Sequence, residues 1–142
     1  MTSTPDAGEP DARRRALMRG EVIAQQDLIA AGGALSLAQV QRLLAGASQQ
    51  RVEQMVADHC LLAVPSPGGG QGYPAFQFLD DGSVVPGLKR VVTALPTKSP
   101  WGILNFLVHP DFRLNERRPI DLLKTGDIGL VVEAAAAVDT QG

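Results

Sequence analysis

"LSLAQVQRLLAGASQQRVEQMVADHCLLAV", Leu35 to Val64, decides how the rest of the chain is read. Ser36 stands where a helix N-cap belongs, because its short hydroxyl can accept from a free amide of the first turn. Leu37, Val40 and Leu44 then recur at helical spacing and predict a helix over 37–44. "AGA", Ala45 to Ala47, makes a tight turn, and Ser48 caps a second helix from Gln49 to about Asp58. Val52, Met55 and Val56 point inward from that helix. Two short helices joined by a brief Gly-containing turn are the helix-turn-helix pattern.

Working outward, Leu61–Val64 and Tyr73–Phe78 alternate like strands on either side of "PSPGGGQG". They predict a β-hairpin, a wing, with a loop longer than a tight hairpin prefers. "DDG", Asp80 to Gly82, closes that unit. Upstream, Ala12–Ala31 has helical periodicity, with Met18, Val22, Gln25 and Ile29 on one face and Leu17, Ala24 and Leu28 beside it. Gly20 weakens this helix by about 1 kcal/mol relative to alanine, and Gly32–Gly33 end it. The polar, acidic stretch before it, with two prolines, is expected to be a disordered tail.

Composition narrows the function classes. The chain has 142 residues and a net charge of −2, so no strong overall field favours nucleic acid. No apolar run approaches the roughly 20 residues that cross a bilayer, and the N-terminus has no apolar signal core. A cytoplasmic location without membrane contact is expected. The single cysteine, Cys60, cannot close an internal disulfide and is too little for structural zinc. A Cys60–His109 catalytic pair is conceivable, but a buried cysteine acting as a small hydrophobe is the plainer reading. "GGGQG", Gly68 to Gly72, lacks the Lys-Ser/Thr of a phosphate loop. No catalytic residue, metal ligand or cofactor site is expected.

Beyond Val84 the pattern is helical throughout. Helices are expected from about Pro86 to Leu95, then after Ser99–Pro100 through Trp101, Leu104, Leu107 and Val108. A short one follows over Pro119–Lys124, and Asp127 starts a last helix through Ile128, Val131, Val132 and Ala135. Pro119 suits a first helical turn and Gly126 the residue past the end. Helices under about 12 residues are marginal alone in water, so they must pack together, with Ile120, Leu122 and Leu123 as the plug. Trp101, Phe106 and Phe112 are expected in that core. The fold class is mainly α: an N-terminal helix-turn-helix with a small β-hairpin wing, then a C-terminal helical bundle. The segments are a tail (1–11), the winged unit (12–82), the bundle (83–138) and a second tail (139–142).

"GLKRVVTALPTKSPWGILNFLVHPDFRLNERRPIDLLKTGDIGLVVEAAAA", Gly87 to Ala137, resembles the C-terminal domain of Xre/MbcA/ParS-type antitoxins. Trp101, Phe106, Leu107, Pro110, Leu114, Pro119, Asp121, Leu123 and Gly126 carry the resemblance in order and spacing. It implies a type II antitoxin, without chemistry of its own, that blocks a neighbouring RES-domain toxin acting on NAD and represses its own operon. On that resemblance, Arg117, Arg118, Asp121 and Lys124 are the candidate toxin contacts.

The residues themselves leave a second class open, a free-standing winged helix-turn-helix regulator whose C-terminal bundle dimerises or senses something small. In either case Gln49, Gln50, Arg51 and Gln54 are the DNA-reading candidates, since glutamine can bond adenine edges and arginine guanine. The same four residues also suit a merely solvated helix face. Between Ser36 and Leu79, Arg42 and Arg51 only balance Glu53 and Asp58, and the wing carries no Lys or Arg. Phosphate contacts supply most DNA affinity, so a homodimer is expected. "ARRRALMR", Ala12 to Arg19, is either a phosphate-gripping arm or a solubilising helix face.

Overall fold

The computed structural model describes residues 25–67 and 69–138. The expectations for the N-terminal tail, for Gly20, for the Arg13–Arg19 arm and for residues 139–142 lie outside the described residues. The protein is mostly helical with one small three-stranded antiparallel sheet. Residues 25–30 are helical (α1) and stop at Gly32 and Gly33, both left-handed, where the Gly33 amide donates to the Leu28 carbonyl at 2.8 Å. The buried side of α1 is not the expected one. Leu28 enters the core, whereas Ile29 is 72% exposed.

The two helices of the opening stretch form as their caps require. In α2 (Leu37–Leu43) the Ser36 hydroxyl accepts from the Gln39 amide at 3.2 Å, and the Gln39 side chain accepts from the Ser36 amide at 2.8 Å. This reciprocal capping satisfies two amides that the first turn leaves free. Ala45 then turns left-handed, and the Gly46 amide reaches back to the Gln41 carbonyl at 2.7 Å, closing the helix end. In α3 (Gln49–Ala57) the Ser48 hydroxyl accepts from the Arg51 amide at 3.0 Å. Val40 and Val52 are fully buried between the helices, with Leu61, Ala63 and Tyr73.

Three strands follow a register that the sequence showed only in part. A hairpin forms, but from β2 (Val64–Pro65) and β3 (Gln71–Pro74), paired Val64 to Gly72 and Pro65 to Gln71; of the expected first run Leu61–Val64 only Val64 is strand. Pro65 sits on an edge strand, where a missing amide is tolerated. A third strand, β1 (Ala34–Leu35), pairs with the other side of β3, giving the order β1-β3-β2. The expected second run does not continue as strand to Phe78; Ala75–Gln77 tighten into a 3-10 turn. Its cause is Gln77, fully buried, whose side chain accepts from the Leu62 amide at 2.8 Å. The same side chain donates to the Leu62 and Pro74 carbonyls at 2.9 and 3.1 Å.

The C-terminal helices are α4 (Leu88–Ala94), α5 (Pro100–Val108), α6 (Pro119–Lys124) and α7 (Ile128–Ala136). The α4 helix starts two residues later than the sequence suggests, at the left-handed Gly87. A Cβ there would lie 2.5 Å from the Ile128 side chain, so glycine lets α4 and α7 meet. The far end of α4 is closed by Lys98, whose ammonium donates to the Val92 and Leu95 carbonyls, both at 2.7 Å. Such cations at helix C-termini are favoured by the free carbonyls. Pro100 and Pro119 open their helices as expected, but the Ser99 and Asp127 side chains make no cap. Gly126 ends α6 left-handed, with the Asp127 amide donating to the Leu122 carbonyl at 2.9 Å. Ile120, Leu122 and Leu123 are buried where α5, α6 and α7 pack on one another.

One apolar cluster joins Leu28, Leu62, Val64 and Phe76 to the buried faces of α4–α7. The change at residues 82–83 is therefore one of element type within a shared core. Residues 61–64 form its wall: Leu62 and Val64 belong to this cluster, and Leu61 and Ala63 to that of α2 and α3. Replacing Gln77 by leucine keeps the volume but strands the Leu62 amide. We expect a loss of about 2–4 kcal/mol, since an unpaired buried donor costs about 1–3 and the freed carbonyls add to it. Urea denaturation of the full chain checks this; a loss below about 0.5 kcal/mol would remove Gln77 from that role.

Candidate nucleic-acid interface

The first two turns of α3 carry Gln49, Gln50, Arg51 and Gln54, and all four are exposed. Ser48 makes this possible, because its cap sets the helix start and Val52, fully buried, fixes the rotation. With Val52 inward, the polar residues before and after it face away from the core. The Gln49 amide donates to Glu53 at 3.0 Å and the Gln54 amide to Asp58 at 3.1 Å. Two of the four expected DNA-reading side chains are thus held by carboxylates one turn on. Among the described residues, the Arg51 guanidinium has no hydrogen-bond partner.

The Glu53 charge is also felt at the sheet. The Tyr73 hydroxyl is pushed above its ordinary range, first by burial and then by the nearby Glu53 charge. An acidic side chain in the middle of the face opposes phosphate approach as directly as Arg51 favours it. The hairpin tip adds no cation, because Ser66–Gln71 contains no Lys or Arg.

The candidate toxin contacts lie around α6, away from α3 in the chain. Arg118 and Asp121 form a two-pronged pair, with the guanidinium donating to both carboxylate oxygens at 2.9 Å. The Arg118 hydrogen bonds hold the Asp121 carboxyl below its usual range, and Lys124 lowers it further. The Arg117 guanidinium donates to the Leu114 carbonyl at 2.9 Å. Arg117, Asp121 and Lys124 are exposed and Arg118 is half-buried.

Two expectations are corrected nearby. Phe112 is 72% exposed and is no part of the core. It opens a 3-10 turn after Asp111, and the loop then bends through the left-handed Asn115 and Glu116, while Leu114 fills the buried position. The Arg113 guanidinium lies 4.5 Å above the Phe112 ring and donates to Asp111 and to the Ala137 carbonyl. The aromatic is thereby held in place on the surface. Cys60, expected to be buried as a small hydrophobe, is only half-buried, and the His109 ring faces the Asn105 carbonyl at 2.9 Å and the Asp27 carboxylate at 3.2 Å, so its nitrogens serve α1 and α5.

Among the described residues, no helix is long and apolar enough to cross a membrane. Asp121 generates a pH expectation. Its folded pKa lies below its unfolded value, so it adds stability above the unfolded value near ~3.9 and loses it as pH falls through the folded value. Because the pair is largely exposed, that contribution is under about 1 kcal/mol. Asp121→Asn should flatten the acid limb of melting temperature against pH below about pH 4, with little change at neutral pH. An unchanged acid limb would show that the pair contributes nothing.

No family model matches the chain, and no curated protein matches it. Among solved structures the chain is similar to one described as the NMR structure of Rv2175c, with 28% sequence identity and a TM-score of 0.63 over 73% of this chain and 79% of that one.

Proposed function

We propose that this protein is a DNA-binding regulator that uses α3 as a recognition helix and the β2–β3 hairpin as a wing. The observation that carries the reading is the order of elements and their pairing. A helix, a first strand, two capped helices and a hairpin follow one another, and the first strand pairs beside the last in the order β1-β3-β2. That arrangement supports reading the unit as a winged helix-turn-helix, a motif in which the second helix of the pair enters the major groove by its N-terminal residues. Those residues here are Gln49, Gln50, Arg51 and Gln54, all exposed.

Affinity is the weak point of such a module. Arg42 and Arg51 stand against Glu53 and Asp58, and phosphate neutralisation supplies most of the binding free energy. Two copies on a two-fold-symmetric site, with half-sites about one helical turn apart, double the cationic contacts and the sequence read. The C-terminal helices then serve for pairing or control. The reading includes no reaction.

A second reading is kept because one observation favours it. Exposed Phe112 with Arg113 stacked on it has the aromatic and arginine character of a protein-binding anchor. In that reading the C-terminal face binds a RES-type toxin from the neighbouring gene, as the antitoxin resemblance implies. Co-expression with that neighbour separates the two: Phe112→Ala should abolish rescue of growth if the toxin sits there, and change nothing if no neighbour is toxic.

For the DNA reading, mobility shifts of the protein's own promoter provide the test. Arg51→Ala should weaken binding by about 1–3 kcal/mol if Arg51 bonds a guanine edge. Glu53→Gln should tighten binding, because it removes a negative charge and releases Gln49. Equal binding by wild type and both variants would leave α3 with no recognition role.

A further inference from the structure

A groove of about 210 Å3 opens between α1, the small sheet and α5. Its floor is nearly bare of side chains, being built from Gly33, Ala34 and Gly72. The backbone of Gly72 is not left-handed, so conformation does not demand glycine there. A Cβ at that position would lie 3.1 Å from the Ala34 methyl, and a side chain beyond it would rise into the groove. The walls are apolar: Leu28 and Ile29 on one side, Trp101 on the other, and Pro65 and Pro67 at the rim. Ile29, the most exposed large aliphatic side chain among the described residues, lines this opening.

The chemistry of the lining selects the occupant. None of the described lining residues is ionisable, and the polar groups are the Gln25 amide, the Ser66 hydroxyl and the Trp101 indole. A charged ligand would lose its hydration here without a counter-charge. A dry aliphatic cavity of about 150 Å3 holds a benzene ring, so the larger space takes two fused rings. Tryptophan and proline walls over a flat glycine-alanine floor suit a planar molecule better than a branched one. We propose that this groove binds a small, uncharged, planar bicyclic aromatic compound of the indole class.

Such a ligand would touch α1, the base of the hairpin and α5 together, and so tie the N-terminal elements to the C-terminal helices. The site stands independently of DNA binding; its role as an effector site rests on the DNA reading, and the two fail separately.

Indole itself is the probe, titrated into the 15N-labelled full chain. The single tryptophan gives one side-chain N–H signal that reports directly on the groove. Saturable movement of that signal with the Gly33, Ala34 and Gly72 amides is expected, half-complete at or below about 1 mM. Ala34→Leu, which fills the floor from an exposed position, should weaken binding at least about tenfold. Ile29→Glu, which charges the rim, carries the same expectation if Ala34→Leu does not fold. Absence of a saturable response, or an equal response in the variants, would overturn the proposal. So would movement of the same signals with protein concentration alone, which would make a second copy the occupant. A mobility shift with and without indole then tests the effector role alone.

Discussion

The buried side chain of Gln77 is the constraint on which the two halves of the molecule depend. Its amide satisfies both backbone groups of Leu62 and the carbonyl of Pro74, and its own carbonyl accepts from the Val85 amide at 2.8 Å. These bonds anchor the stretch 61–64, whose alternate side chains enter different cores. They also turn the chain out of β3 and direct it to α4. A leucine-like residue would fill the space, but only an amide can accept from one neighbour and donate to two others. Unpaired backbone groups at such depth are costly, so the wall between the cores stands or falls with this one residue. Because α3 packs on one side of the wall and α4–α7 pack on the other, the orientation of α3 relative to the C-terminal helices is set there.

Features governed by nearby residues were legible in the sequence. Ser36 and Ser48 cap as expected because a cap needs only the next turn of its own helix. Pro119 and Gly126 bound α6 for the same reason, and Ile120, Leu122 and Leu123 follow from the narrow space between those marks. What the sequence hid depends on distant partners. The β1 strand is two residues long, and its existence consists of pairing with β3, forty residues further along in chain order or nearly so. Gln77 looks like a surface residue until Leu62 and Pro74 surround it. Phe112 looks like core, yet the left-handed Asn115 and Glu116 let Leu114 take the buried place. At α6, Arg118 at the helix entry offers two donors in one plane and takes the Asp121 carboxylate.

The two candidate faces differ in how far their polar groups are already committed. Around α6, Arg118 and Asp121 neutralise one another, and Arg117 is bonded to a backbone carbonyl. On α3, Gln49 and Gln54 rest against carboxylates while Gln50 and Arg51 remain available. Amide–carboxylate bonds on an exposed helix are weak, worth a few tenths of a kcal/mol, and a base edge can displace them. The acidic partners still set a low ceiling on affinity for phosphate. Sequence reading by α3 therefore demands either a second copy or further cations.

The central claim is that α3 and the hairpin meet DNA while the rest of the described chain does not. Amide hydrogen exchange of the full chain, with and without promoter duplex at low salt, tests it most directly. Slowed exchange is predicted at the start of α3 and at the hairpin tip around Gly69–Gln71, with α6 and the Asp111–Arg117 loop unchanged. Slowing confined to that loop and α6, with α3 unaffected, would contradict the account.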